Sequence, residues 1–342
     1  MTSNSSATNR WLTPLPTVGS GWAWGLLGVL AFSFTVPSTR VAVAGMSPLL
    51  VGSGRALVAA ALAGSALALT RQRLPRGTQW PRLLVVGLGV VVGFPLLTSY
   101  ALTTTPASHG AVVIAALPAA TAVAAVVRGR ERPPARFWAV AALGALVTTT
   151  LATGASGHVG RATWADLLLL GAVVAAALGY AEGGLLAREL GAWQTVSWAL
   201  VLSVPVMSVL TLVALDRQPA SGTPTQWAAF AYLGVVSMFL GFVAWYRGLA
   251  LGPMAQVSQV QLVQPVLTLA WSALLLGEHV GTATAVGALA VVACAGTAVR
   301  ARAATGGPST AAGVSGGSTA AGSGWRRGSR RRSSRRAARG AR

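Results

Sequence analysis

The sequence has very little negative charge: six acidic residues in 342, against 26 arginines and no lysine. No stretch brings two carboxylates together for acid–base work. There is one cysteine, Cys294, set in an apolar run, which excludes a disulfide framework and a cysteine-based metal site. The three histidines are scattered. Charged residues make up 9% of the chain, whereas soluble domains carry roughly 25%. A chain that is 54% hydrophobic and so poor in charge cannot cover itself for water. Two tempting motifs also lack their context. "GLGVVVG" at 87–93 has no strand–turn–helix unit around it, so it is no dinucleotide fingerprint, and its Gly89 and Gly93 suit close helix packing. "GASGH" at 154–158 falls in a joint, with no histidine mid-span to act as a base. These absences leave an enzyme reading without footing, and no cofactor is expected.

What the chain does have is long apolar runs. Ten of them approach the ~20 residues that span a bilayer, at about 21–38, 46–69, 82–102, 107–127, 137–153, 164–187, 193–215, 226–250, 255–276 and 280–299. Leu, Val, Ala and Gly fill them without a period of two, which argues for helices and against a barrel. The fold class read from this is an all-α integral membrane protein of about ten transmembrane helices. Arginines then orient it. The joint between spans 2 and 3 holds Arg71, Arg73, Arg76 and Arg82, and that between spans 4 and 5 holds Arg128, Arg130, Arg132 and Arg136. Positive joints stay in the cytoplasm, which puts both termini of an inner (plasma) membrane protein inside. "AVA" at 42–44 resembles a signal-peptidase site, but span 1 has a counterpart later in the chain and is kept as a span.

That counterpart belongs to a repeat. "PAATAVAAVVRGRE" (118–131) and "PVLTLAWSALLLGE" (265–278) share a frame of proline, apolar run and glutamate, 147 residues apart. At the same offset Pro106 meets Pro253 and Gly87 meets Gly234. Two five-helix units follow, 21–153 and 164–300. Five is odd, so the copies cross in opposite senses, an architecture of alternating-access carriers.

"SYALTTTPASHGAVVIAALPAATAVAAVVRGRE" and "WYRGLALGPMAQVSQVQLVQPVLTLAWSALLLGE" resemble the signature segment of EamA-type members of the drug/metabolite transporter superfamily. "AFSFTVPSTRVAVAGMSPLLVGSGRALVAAAL" is similar to that family's first two spans, with Arg55 as the arginine that opens the second. The resemblance covers about 21–299. It implies ten helices in two inverted halves and carriage of small metabolites, often export of amino acids or similar compounds. The first half departs from the pattern in "VVRGRE", which puts the role of Glu131 in doubt.

Pro118 and Pro265 sit near the centres of spans 4 and 9, where each removes a backbone donor and kinks its helix. Glu131 and Glu278 fall about 20 Å further on at ~1.5 Å per residue, near the membrane surface. They read as anchors that bind N–H groups at the start of the next helix or pair with arginines. For substrate, span 9 is the unusual helix, with Gln256, Gln259, Gln261 and Gln264 in its first half spread over roughly 200° of its surface. Lipid does not face that arc cheaply, so the glutamines either line a cavity or glue helices together. Tyr100, Trp245 and Tyr246 end spans 3 and 8, as cavity walls or, preferably, interfacial anchors. Arg55 lies about a third of the way into span 2, to hold a substrate carboxylate or to reach the outer surface. Glu182, the one acid deep inside a predicted span, stands among Ala and Gly. It is read as a proton-coupling carboxylate, or as a partner of Arg188.

Beyond about 300 the chain changes character. A Gly/Ser/Ala stretch leads into "WRRGSRRRSSRRAARGAR", and the 301–342 tail is read as disordered, cytoplasmic and apt to lie on anionic headgroups. Nucleic acid is the less favoured partner for it. The expected function is export of a small polar metabolite, amino-acid-like or drug-like, by alternating access, with proton coupling as an option. Import, exchange, or a sensor or scaffold without transport are the alternatives, and a homodimer is left open.

Overall fold

The computed structural model describes residues 18–129, 139, 163–251, 258–282, 285, 286, 289, 290 and 293. Spans 5 and 10, Glu131, Gln256, Cys294 and the arginine-rich tail lie wholly or mostly outside them. Among the described residues every regular element is helical. Seven helices are long and apolar enough to cross a membrane: Gly21–Val43, Pro48–Leu69, Gln79–Thr104, Ala107–Arg128, Trp164–Leu190, Ala192–Arg217 and Pro224–Leu251. These are spans 1 to 4 and 6 to 8. Span 9 appears as a shorter apolar helix, Val260–Leu276.

The helices begin where local chemistry satisfies their free N–H groups. Span 2 starts after Ser47, whose hydroxyl accepts the Leu50 N–H, and has Pro48 in its first turn. Span 6 starts on a reciprocal cap between Thr163 and Asp166, and span 8 on one between Thr223 and Gln226. Gln79 makes the matching bond before span 3: its Oε1 accepts the Arg76 N–H at 2.8 Å, as Gln226 Oε1 accepts the Thr223 N–H at 2.8 Å.

Three spans are broken, each beside a proline. Span 4 is helical over Ala107–Ile114 and again over Leu117–Gly129, with Pro118 opening the second piece. Span 9 runs as a tight 3-10 turn over Ser258–Val263, then as α-helix over Gln264–Leu276, with Pro265 in its first turn. Span 1 breaks at Phe34, between Val18–Ser33 and Thr35–Val43. Pro37 has no N–H to give the Ser33 carbonyl. The Thr268 hydroxyl donates to that carbonyl instead, at 2.9 Å, and the Trp271 indole N–H donates to the Ser33 hydroxyl at 3.0 Å. Span 9 thus completes the backbone that the kink in span 1 leaves open.

The packing has an internal two-fold pattern. Span 2 packs on span 7, which are equivalents. Span 1 packs on span 8 as span 6 packs on span 3. The two equivalent spans 4 and 9 run in opposite directions, because Glu278, just past the end of span 9, meets Ala107 and Ser108 at the start of span 4. A Cβ on Gly89 would overlap the Ala175 carbonyl, so only glycine permits spans 3 and 6 to approach so closely. Both halves also carry a π-helical stretch, at Gly87–Gly93 in span 3 and Leu233–Leu240 in span 8.

Candidate functional site

Where spans 1, 2, 3, 4, 6, 8 and 9 converge, a small cavity of about 20 Å³ opens inside the bundle. Its walls are mostly apolar and aromatic, including Phe32, Phe94, Tyr180 and Phe242, and its polar groups are Thr35, Arg55, Ser237 and Gln264. A second cavity of about 10 Å³ lies against it and shares Val36, Leu117 and Gln264. Pro118 and Pro265 both line this second space, together with Gln261 and Thr268. The two proline breaks therefore face one enclosed volume. A mostly apolar pocket with a few convergent polar groups is the usual form of a small-molecule site.

Arg55 dominates the chemistry. Its side chain is 1% exposed, so it does not reach the outer surface. Among the described residues the guanidinium meets only two hydroxyls at long range, Thr39 Oγ1 at 3.3 Å and Thr98 Oγ1 at 3.5 Å, and its Nε has no partner. No carboxylate among the described residues faces it. Asp166 is held by His109 and Thr163, Glu182 and Glu189 by arginines, and Glu278 by backbone N–H groups. Asp216 is exposed at the end of span 7. Glu131 lies three residues beyond Arg128, past the end of span 4.

The glutamines behave in two ways. Gln261 is 1% exposed, and neither its amide oxygen nor its amide nitrogen has a partner among the described residues. The Oε1 of Gln264 is likewise buried and unpaired. Such groups are costly inside protein unless something bonds them. The side chain of Gln259 and all of Gln256 lie outside the described residues.

The aromatic candidates are elsewhere. Tyr100 is 43% exposed on the outside of the bundle. Trp245 and Tyr246 are fully buried, so the anchor reading fails for both, and neither lines either of these two cavities. Tyr246 donates its hydroxyl to the Gly179 carbonyl at 3.2 Å. Both pack behind the wall formed by Phe32, Tyr180 and Phe242. Thr35 and Ser237, bonded to each other at 2.7 Å, are polar wall residues that no sequence signal marked. The only local hint is Pro37, two residues past Thr35.

Glu182 corrects a specific expectation. It is 3% exposed, but it is not isolated among small residues, and its partner is not Arg188. One carboxylate oxygen takes the Arg82 Nε–H and the other takes the Arg128 Nε–H at 2.5 Å, while Arg82 also reaches Glu189 at 2.6 Å. Arg188 points to the Leu249 carbonyl. Spans 3, 4 and 6 are thereby clasped together at the arginine-rich end. Glu278 is corrected too. It binds backbone N–H groups as expected, but those of span 4 in the other half, at 2.8 Å each, and not those of the next helix.

Comparison with known proteins agrees with this architecture. The description "EamA-like transporter family" matches twice, over residues 19–153 and 163–299. The "Uncharacterized transporter YdeK" of Bacillus subtilis (strain 168) is 44% identical over 282 residues, covering 82% of this chain and 97% of that protein. A "Probable terminal-alkyne amino-acid exporter" of Streptantibioticus cattleyicolor is 27% identical over 248 residues, covering 71% and 82%. A solved crystal structure shares the fold, with a TM-score of 0.59 at 19% identity over 83% of this chain and 99% of its own. With the unit present twice and nearly the full length of a transporter relative matched, this multi-pass membrane protein belongs to the EamA-like transporter family.

Proposed function

We propose that the protein is a ten-span secondary carrier of the plasma membrane, built as two inverted halves, that exports a small carboxylate-bearing metabolite by alternating access. The observation that carries the reading is Arg55: a buried guanidinium in a central cavity, with no carboxylate of the described chain beside it. An intramembrane charge needs a partner, and a substrate carboxylate is a matching one. The amide of Gln261 and the amide oxygen of Gln264 supply hydrogen bonds to the polar part of the same ligand. The aromatic wall suits an apolar body. An amino acid with an apolar side chain has all three features, and the exporter named among the relatives supports both that class and the direction.

Orientation follows the charges. Arg71, Arg73, Arg76, Arg82 and Arg128 gather at one end of the bundle, and the positive end faces the cytoplasm. Glu182 works there as a structural clasp of the inner end rather than as the proton carrier.

Reconstituted protein tests the reading. Counterflow of apolar amino acids into loaded vesicles should be saturable, and Arg55→Gln should weaken it roughly 10- to 150-fold, the equivalent of losing one charge-assisted hydrogen bond at about 1.5–3 kcal/mol. Amino-acid amides, which lack the carboxylate, should not compete in either protein. Equal competition by acids and amides would remove Arg55 from the site.

A further inference from the structure

A groove at the arginine-rich end of the bundle is far larger than the central cavities. It has a volume of about 450 Å³ and lies between spans 3, 4 and 6. Thr78, Arg82, Arg128 and Glu182 line its polar part, and Val85 and Leu178 its apolar part. Helix rise orders the two parts by depth. Val85 lies about one turn deeper than Arg82 along span 3, and Leu178 about one turn deeper than Glu182 along span 6. Val85 is 42% and Leu178 50% exposed, so the groove opens toward lipid. It is polar at headgroup depth and apolar below.

The clasp at Glu182 does not exhaust the two arginines. Arg82 Nη2 and Arg128 Nη1 have no partner among the described residues, and the Arg128 side chain is 53% exposed. The side chain of Thr78 caps no N–H of the helix it precedes. The other half of the molecule repeats the groove without these groups. Spans 8, 9 and 1, the equivalents of 3, 4 and 6, enclose about 480 Å³ at the opposite end, where Thr225 takes the place of Thr78. At the 147-residue offset Arg82 meets Ala229 and Arg128 meets Leu275. Arg40 is the cation among the residues lining that second groove, and it is engaged with the carbonyls of Leu102 and Thr103. The shared architecture therefore stands without the arginine pair, which belongs to one end only.

We propose that the groove between spans 3, 4 and 6 holds an anionic phospholipid of the inner leaflet, its phosphate on Arg82, Arg128 and Thr78 and an acyl chain over Val85 and Leu178. The assignment rests on the orientation given above, which puts this end in the cytoplasm. Guanidinium groups with free N–H donors are matched to phosphate oxygens, and basic pockets between spans on the cytoplasmic side suit anionic headgroups. Charge selects among lipids. The joint leading into Thr78 adds Arg71, Arg73 and Arg76, all exposed, so five arginines at this end face Glu182 and Glu189. A choline headgroup would bring its own cation to that surface. A free phosphate would meet the arginines and leave the apolar wall unused. The bound lipid joins spans 3 and 4 of the first half to span 6 of the second.

Photo-crosslinking tests the site. The full chain is placed in phosphatidylethanolamine vesicles with a trace of phosphatidylglycerol whose acyl chain carries a diazirine, and adducts are mapped by peptide mass spectrometry. Yields around Val85 and Leu178 are divided by those around Val209, a 60% exposed position of span 7, which cancels unspecific lipid contact and binding to the tail. Phosphatidylcholine with the same chain should give about fivefold less, the factor that corresponds to about 1 kcal/mol for one arginine at an anionic surface. Arg128→Gln should lower the phosphatidylglycerol yield by a similar factor. Val85→Trp, which fills the apolar wall and leaves every charge in place, should lower it too. Equal normalised yields for the two lipids, or yields unchanged in both variants, would overturn the site. Loss of the adducts on adding excess inorganic phosphate would also overturn it, leaving a site for a free anion. An Arg130→Cys thiol, with Cys294→Ala, that reacts only from outside would place the groove in the outer leaflet and end the assignment. None of these readouts uses transport, so the lipid site and the carrier reading fail separately.

Discussion

The carboxylate of Glu278 caps the helix Ala107–Ile114 in the other half of the molecule, with Oε2 accepting the N–H of Ser108, 170 residues earlier, at 2.8 Å. Its Oε1 accepts the neighbouring N–H of Ala107 at the same distance. A negative group on two free N–H groups is well placed against the helix dipole. Glu278→Ala should lower stability by about 0.5–2 kcal/mol, and Glu278→Gln by less, because the amide keeps one acceptor. Thermal unfolding of the purified protein in detergent measures both. Equal melting temperatures for Glu278→Ala and the parent would show that the cap adds nothing.

Gln261 and Gln264 should act on transport more than on folding. The Gln261 amide and the Gln264 Oε1 are buried without partners among the described residues, so Gln261→Leu and Gln264→Leu remove an unmet polar group and leave the apo protein as stable or more so. Substrate affinity should fall roughly 5- to 150-fold, from the loss of about 1–3 kcal/mol of hydrogen bonding. Parent-like transport kinetics in both variants would make the pair a feature of packing.

The clasp at Glu182 should respond unequally to its two sides. Glu182→Gln removes the buried carboxylate that Arg82 and Arg128 share, leaving Arg82 only Glu189, whereas Arg128 is half exposed and can turn to water. Removing one member of a buried pair costs about 3–5 kcal/mol, and an exposed one about 0–1 kcal/mol. Glu182→Gln should therefore lower the melting temperature well beyond Arg128→Gln. In inside-out vesicles with an imposed pH gradient, Glu182→Gln should keep whatever gradient-driven accumulation the parent shows. Loss of that accumulation in a well-folded variant would restore Glu182 as the coupling group.

Two cysteines test the inverted arrangement. With Cys294→Ala as background, Arg130→Cys should react with an impermeant thiol reagent only from the cytoplasmic side and His279→Cys only from outside. Labelling of both from one side would end the model of opposed halves.

Much of this architecture was visible in the residues. The frame from proline to glutamate stood out because both residues are rare in apolar spans, and it located the breaks in spans 4 and 9. Arg55 stood out for the same reason. What stayed hidden depends on contacts far along the chain. Glu182 finds its arginines 54 and 100 residues away, and a helix read in isolation shows only its Ala and Gly neighbours. Trp245 and Tyr246 lie near a helix end, where an aromatic residue serves an interface or a core equally well, and only the approach of Phe32 and Tyr180 decides it. The cavity hydroxyls of Thr35 and Ser237 sit in runs whose hydrophobicity masks them. One local signal was present but unused: "TQW" occurs at 78–80 and again at 225–227, at the offset of the prolines, and both glutamines bond back to an N–H three residues earlier.

The paired π-helical stretches bear on ancestry. A π turn holds more residues than an α turn and is uncommon outside sites that need it, so such a stretch is the footprint of an insertion that a helix absorbed without breaking. Here Gly87–Gly93 and Leu233–Leu240 fall in the same place in both halves, with "TQW" in register ahead of them. Two independent insertions would have had to land on equivalent turns of two diverging helices. A single insertion in the lone five-helix ancestor, copied when that gene doubled, accounts for both.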